Sequence, residues 1–264
     1  MAWVCKSANG SWRVRFRRDD GTIGAVNGFR SEAAAREHAE GMETDQRRGV
    51  FLDPDGARTT VAEWTEQWLD ALDVYETTEA QYRSLLTNHI LPRWGDHTLG
   101  EISAIKVQAW YKQRRVDGYA ASTVATIGKV LSMLLSDAAD ERLIAVNLLL
   151  GSRRRRGKRN RERVAERPWA THQQVLAIAD NAARLPAAGP GAAMLIITAG
   201  WTGARWGELT GLQRHNLHLD PTCDTPSYLV IDPDHGALHE VGNRLFLGPP
   251  KTPESARRIE LPPF

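Results

Sequence analysis

The sequence predicts a multidomain α+β chain: a small three-stranded sheet with a helix behind it, then a four-helix bundle, then a mainly α segment carrying a small β-hairpin sheet. Three observations predict it. Residues 12–17 alternate apolar and arginine side chains between two turn dipeptides. Capping-box sequences then open helices whose apolar residues recur every three or four positions. A cationic run without a single apolar residue separates that helical part from the C-terminal segment. The implied boundaries are 1–55, 58–150, a linker at 151–166, and 167–264.

Asn9-Gly10 and Asp20-Gly21 are hairpin turn signals. Between them Trp12, Val14 and Phe16 fall on one face of a strand, and Arg13, Arg15 and Arg17 on the other. Strands at Trp3–Lys6 and Ile23–Phe29 complete a meander, and Ser31 caps a helix to about Arg48. Ala33, Ala34, Ala35 and Ala39 are available for close packing. A short sheet with a basic face can enter a DNA major groove. The same alternation equally describes the ordinary outer face of a half-buried strand.

In the helical part, Thr60-Val61-Ala62-Glu63 is a capping box, followed by Val61, Trp64, Trp68 and Leu72 at helical spacing. Thr78-Glu79-Ala80-Gln81 reads as a second box, opening a helix with Tyr82, Leu85, Leu86, His89 and Ile90 that Pro92 stops. Ser103 starts a third helix with Ile105, Val107, Trp110 and Tyr111. Ser122 starts a fourth with Val124, Ile127, Val130, Leu131, Leu134 and Leu135. The tryptophans sit on apolar stripes and read as core.

Composition and charge narrow the function classes. With 42% hydrophobic and 25% charged residues the chain reads as a soluble globular protein. Cys5 and Cys223 have no metal-ligand spacing and fit a reducing, cytoplasmic setting. No signal peptide or membrane span is read, and no cofactor or metal motif. The net charge of +2 argues for no particular partner, but its distribution does. Residues 153–163, which include Arg153, Arg154, Arg155, Arg156, Lys158 and Arg159, hold eight cations and one anion. Such a run binds phosphates without reading sequence. It favours nucleic acid over a solvated linker and does not separate DNA from RNA.

The third part holds the motif that carries chemistry. Thr171 caps a helix with Val175, Leu176 and Ile178, and a buried apolar helix comes next over roughly Ala192–Ala199. Then comes Thr202-Gly203-Ala204-Arg205-Trp206-Gly207-Glu208-Leu209-Thr210-Gly211-Leu212. The Thr-Gly pair breaks one helix and starts the next, which sets Arg205 near a helix start, where a guanidinium and backbone N–H groups can converge on a phosphate. Taken alone, Arg205 also fits a surface ion pair with Glu208 at i+3. Tyr228–Ile231 reads as a strand, and Leu245–Leu247 with the run to Pro262 as a hairpin tipped by Lys251-Thr252.

This segment resembles the first arginine box of the tyrosine recombinases, the phage integrase family: Thr-Gly-x-Arg-x-x-Glu-Leu-x-x-Leu. The resemblance implies that Arg205 binds the scissile phosphate and that Glu208 supports it. Lys251, ahead of a Thr-x-x-Ser-x-Arg run, would be the general acid towards the leaving 5′-oxygen, a role that suits a mobile ammonium. By the same resemblance, 1–55 is an arm-type DNA-binding domain, 58–150 the helical core-binding domain, and 167–264 the N-terminal half of the catalytic domain. The implied partner is double-stranded attachment-site DNA, bound by a homo-oligomer of four protomers.

The family's remaining groups do not appear. No His-x-x-Arg occurs after Arg205, and Tyr228, in a strand too close to the box, is the only later tyrosine. His215 and His218 read as surface residues rather than metal ligands. The expectation is therefore a C-terminally truncated integrase with no nucleophile of its own. The competing reading is a non-catalytic regulator that occupies integrase sites. An RNA-binding protein using the arginine run is a third, but it gives the arginine box no purpose.

Overall fold

The computed structural model describes residues 2–7, 9–18, 21–48, 56–151, 169–220, 222 and 225–262. The cationic run at 153–163 lies outside the described residues, as does Cys223. The chain divides into two units, Met1–Arg159 and Asn160–Phe264.

The first unit opens with an antiparallel sheet of β1 (Ala2–Lys6), β2 (Trp12–Arg17) and β3 (Ile23–Phe29), in that order. Arg13 pairs with Cys5 and Asn27, and Arg15 with Trp3 and Ala25. The register slips between Trp12 and Arg13, opposite Gly28, whose φ of +98° belongs to glycine. Helix α1 (Glu32–Arg48) covers one face, with Ser31 Oγ accepting from the Ala34 N–H. Val14 and Phe16 are fully buried against Ala35, Ala39 and Met42, an i, i+4, i+7 stripe. Ala33 and Ala34, expected to pack, are exposed because they lie off that stripe.

The helical part comes next: α2 (Val61–Asp70), α3 (Glu76–Leu85), a π-turn at Leu86–Ile90, α4 (Leu91–Trp94), α5 (Ala104–Val116), α6 (Ala121–Asp140) and the short α7 (Leu148–Gly151). The Thr60 capping box is complete: the Glu63 N–H donates to Thr60 Oγ1, and the Thr60 N–H to Glu63 Oε2 at 2.9 Å. The second box does not form. Helix α3 begins two residues before Thr78, with Tyr75 at its cap and no side-chain hydrogen bond. Nor does Pro92 stop the helix, which continues through the π-turn to Trp94. The wider π-turn and the position of Pro92 in the first turn of α4 reduce the demand for the N–H that proline lacks.

Trp64, Trp68, Trp94 and Trp110 all lie in the core with Leu86, Ile90, Val107 and the α6 stripe, including Ile127, Leu131 and Leu134. The Trp64 indole donates to the Leu134 carbonyl at 2.9 Å, and that of Trp68 to Asp137. Ile105, expected inside, is exposed, on the far side of α5 from Val107 and Trp110. Asn147 is buried; its amide donates to the Ser132 carbonyl and to Ser136 Oγ, and its oxygen accepts from the Leu149 N–H. That one side chain ties α7 to α6.

The second unit holds α8 (His172–Ala183), α9 (Gly189–Thr202), α10 (Trp206–Thr210) and two small sheets. Thr171 caps α8 as expected, in a capping box with Gln174. On α8, Leu176 and Ile178 are exposed; on α9, Met194 is exposed and the rest of Ala192–Ala199 is half-buried, so α9 is not the fully buried helix the sequence suggested. One sheet orders β4 (Leu217–His218), β5 (Tyr228–Ile231) and β8 (Arg257–Glu260); the other pairs β6 (Ala237–Val241) with β7 (Arg244–Gly248). The expected hairpin closing at Lys251-Thr252 is therefore not formed. Its first arm, β7, turns back on β6 through Gly242-Asn243, and its second, β8, pairs with β5. Lys251-Thr252 lies in the connection between the two sheets. Among the described residues no helix is long and apolar enough to cross a membrane.

Candidate functional site

The site is built where α9 ends. Gly203 takes φ +62°, a left-handed cap that glycine adopts without strain, and its N–H donates to the Ala199 carbonyl. The Ala204 N–H then donates to Thr202 Oγ1, so the chain turns sharply and delivers Arg205 to the cap position of α10 in extended geometry. Three residues on, Glu208 reaches back and accepts the Arg205 backbone N–H at 3.0 Å. That N–H is thereby committed inside the protein. The guanidinium is therefore the part of Arg205 that stays available to an anion.

Glu208 is the organising group. Its side chain is 2% exposed. Oε1 accepts from Arg205 Nη1 at 2.9 Å; Oε2 accepts from the Arg205 N–H and from Arg257 Nη2, also at 2.9 Å. Burial pushes the carboxyl pKa up, and the hydrogen bonds from Arg257 and Arg205 outweigh it, holding the group below its ordinary value. It is thus an anion clamped between two cations. Arg205 Nη1 also donates to Ser255 Oγ at 2.7 Å, and Ser255 Oγ lies 3.1 Å from Thr252 Oγ1. Arg257 Nη1 donates to the Ser255 carbonyl at 2.7 Å. The arginine box and the 252–257 segment are therefore one hydrogen-bonded cluster. Lys251, next to Thr252, is exposed.

Of the expected residues, the structure brings Arg205 and Glu208 into contact and ties the segment after Lys251 to them. It adds Ser255 and Arg257, to which the sequence reading gave no role. Their signal was the Ser-x-Arg spacing itself, but only the pairing of β8 with β5 explains why Arg257 arrives at Glu208.

Of the other candidates, Arg13, Arg15 and Arg17 belong to the first unit. Arg17 is exposed on β2; Arg13 and Arg15 are half-buried on the sheet face away from α1. The Arg13 Nε–H points to Cys5 Sγ at 3.2 Å, and Arg15 Nε is buried with no hydrogen-bond partner among the described residues. The row is thus less open than simple alternation implied. Arg153, Arg154, Arg155, Arg156, Lys158 and Arg159 are outside the described residues. His215 and His218 are exposed, and the His218 ring stacks on Tyr228 with centroids 4.4 Å apart.

Residues 60–113 match the family model described as the phage integrase N-terminal SAM-like domain. Over 97% of its length the chain is 26% identical to a protein of Mycobacterium tuberculosis, in strains H37Rv and CDC 1551, named as a prophage phiRv2 integrase. The chain is homologous to that prophage integrase. It spans 64% of that relative's length. Its fold is similar to that of the Tn1549 transposon integrase solved with a circular-intermediate DNA, with a TM-score of 0.58 at 17% identity, covering 77% of this chain and 61% of the other. It is also similar to a lambda integrase tetramer bound to a Holliday junction, with a TM-score of 0.50 at 18% identity, covering 93% and 65%. The mixed helical fold with small sheets is therefore an integrase-like fold.

Proposed function

We propose that this chain is the DNA-binding portion of a site-specific recombinase of the tyrosine type, and that by itself it holds attachment-site duplex without cutting it. The observation that carries this reading is the setting of Arg205. Its guanidinium is anchored on one side by a buried carboxylate and a hydroxyl, while 57% of the side chain stays exposed. An arginine fixed at its base and open at its front is a preorganised phosphate receptor. Its assigned target is the scissile phosphate, with Glu208 in support. Lys251, in the segment tied to Arg205 through Ser255, is assigned as the proton donor to the leaving 5′-oxygen of a complete site.

The remaining parts take roles in binding. The SAM-like helical segment within 58–150 holds the core duplex. The sheet and helix of 1–55 form an arm-type module, with Arg17 as the exposed member of its strand arginines. The basic linker at 151–166, through its cationic run at 153–163, tracks the phosphate backbone, and 167–264 contributes the opening of the catalytic domain. Assembly on DNA as a homo-oligomer fits the tetrameric lambda neighbour.

Strand cutting by this chain alone is not part of the proposal. Tyr228, the only tyrosine after Arg205, sits in β5 with the Arg258 guanidinium 3.6 Å from its ring centre and His218 stacked on it. Incubation with supercoiled attachment-site DNA tests this directly. The expected result is a salt-sensitive complex and no covalent protein–DNA adduct. An adduct that survives denaturation would refute the non-cutting assignment, and failure to bind duplex at low salt would remove the whole reading.

A further inference from the structure

Glu208 carries one negative charge and contacts two guanidinium groups. Arg205 and Glu208 alone are neutral. A buried carboxylate with one arginine for a partner draws that arginine into a bidentate fork, the geometry both groups favour. An Arg205 folded back in this way has no net charge and few free donors to offer a phosphate. The second cation changes both terms. Arg257 takes Oε2 at 2.9 Å, leaving Arg205 Nη1 on Oε1 alone, and the cluster gains a net charge of +1.

We propose that Arg257 is a positioning residue: by occupying one oxygen of Glu208 it keeps the Arg205 guanidinium turned outward and supplies the cluster's surplus positive charge for an incoming phosphodiester. The inference rests on the assignment of Arg205 as the phosphate receptor. It adds a residue and a division of labour to that assignment.

The geometry supports a positioning role over direct contact with phosphate. Arg257 has its Nη1 on the Ser255 carbonyl at 2.7 Å and its Nη2 on Glu208, and its side chain is 33% exposed against 57% for Arg205. Both of its terminal nitrogens already serve the interior. Ser255, 4% exposed, completes the device, because its carbonyl accepts from Arg257 while its hydroxyl accepts from Arg205. The two guanidinium groups are thus held at a fixed separation by one serine and one carboxylate. The neighbouring charges do not substitute for Arg257. Helix α9 carries no titratable side chain. On β6, His239 is within 2.9 Å of the Pro249 carbonyl and Glu240 is exposed. On β8, Arg258 lies over the Tyr228 ring.

The test uses the full chain with sulfate as the probe, a tetrahedral anion whose charge is constant near neutral pH. Binding is monitored by NMR on the backbone amides of Trp206 and Gly207, which flank the site. Arg205→Gln is expected to abolish the response, which checks the underlying assignment. Arg257→Gln is expected to weaken sulfate binding roughly tenfold although Arg205 is intact, as befits a lost charge-assisted arrangement. Arg257→Lys, which keeps the charge, is expected to retain most of the affinity. The double variant Glu208→Gln/Arg257→Gln is the deciding arm. With no carboxylate left to capture Arg205, binding is expected to recover towards that of the unmodified chain. A merely structural Arg257 would leave the double variant as weak as the single one. Unchanged affinity in Arg257→Gln, or no recovery in the double variant, overturns the inference and leaves the Arg205 assignment standing. Unchanged affinity in Arg205→Gln removes the assignment itself. Should Arg257→Gln not fold, the test is carried by the lysine variant, which keeps a cation beside Glu208, and by the double variant, which removes the carboxylate together with its second partner.

Discussion

Glu208 sets burial against charge within a single side chain. Its carboxyl is shielded from solvent, which disfavours the anion, yet two arginines hold its pKa below the ordinary value. A group whose pKa is depressed in the fold stabilises that fold above its unfolded pKa, and the contribution disappears as pH falls through the folded value. Glu208→Gln should therefore cost about 2 kcal/mol at neutral pH, the scale of a lost hydrogen bond to a charged group. The gap between the two proteins should close as pH is lowered below about 4.5, the ordinary glutamate region. Urea unfolding at a series of pH values measures it, and a gap that stayed constant to pH 3 would mean that Glu208 is not the anion described. The first half of this cluster was legible in the sequence, because Arg205, Glu208 and the glycine before them fall within one turn of chain. The second half was not. Arg257 is 49 residues from Glu208, and no local spacing encodes a contact that a strand pairing creates.

At the level of elements, the same distinction decides which expectations survive. Thr60 and Glu63 specify a helix start through their own two hydrogen bonds, so the box could be read and is found. Thr60→Ala should cost about 1 kcal/mol in chemical denaturation, the usual worth of such a cap. A cost near zero would show that the bridge from Thr60 to Thr98 carries the helix start instead. Thr78 offered the same letters but lost to a helix already under way from Glu76. The Lys251 turn failed for a different reason. Gly242-Asn243, a strong hairpin dipeptide, gives β7 a neighbour close in sequence, and β8 is left to find β5. In the N-terminal sheet the alternation was legible, but the tightness of its core was not. A Cβ on Gly24 would strike the Phe16 ring, which is fully buried. Gly24→Ala is expected to destabilise by about 1–3 kcal/mol, as overpacking does. Thermal unfolding measures it, and a neutral result would mean that the Phe16 ring has room to move.

For the whole molecule, the net charge of +2 conceals how the cations are placed. Residues 153–163 carry eight cations and one anion, a surplus of seven, so their removal turns the chain's net charge from +2 to −5. The rest of the protein is thus acidic on balance, and long-range attraction to a polyanion has to come from a small part of the chain. Base-independent DNA affinity depends on counterion release, with a slope of about −0.9 in log K against log salt for each phosphate neutralised. Removing 153–163 should therefore flatten the slope by several such steps and lower affinity for all duplexes alike, because phosphate contacts carry no sequence information. Arg17→Gln or Arg205→Gln, each removing one contact, should flatten it by about one step. Filter binding or fluorescence anisotropy across 50–300 mM salt separates these cases. If the shortened chain kept the full slope, the phosphates would have to be met by cations on the folded surfaces instead. The half-buried Arg13 and Arg15 would then have to leave the sheet face on binding DNA.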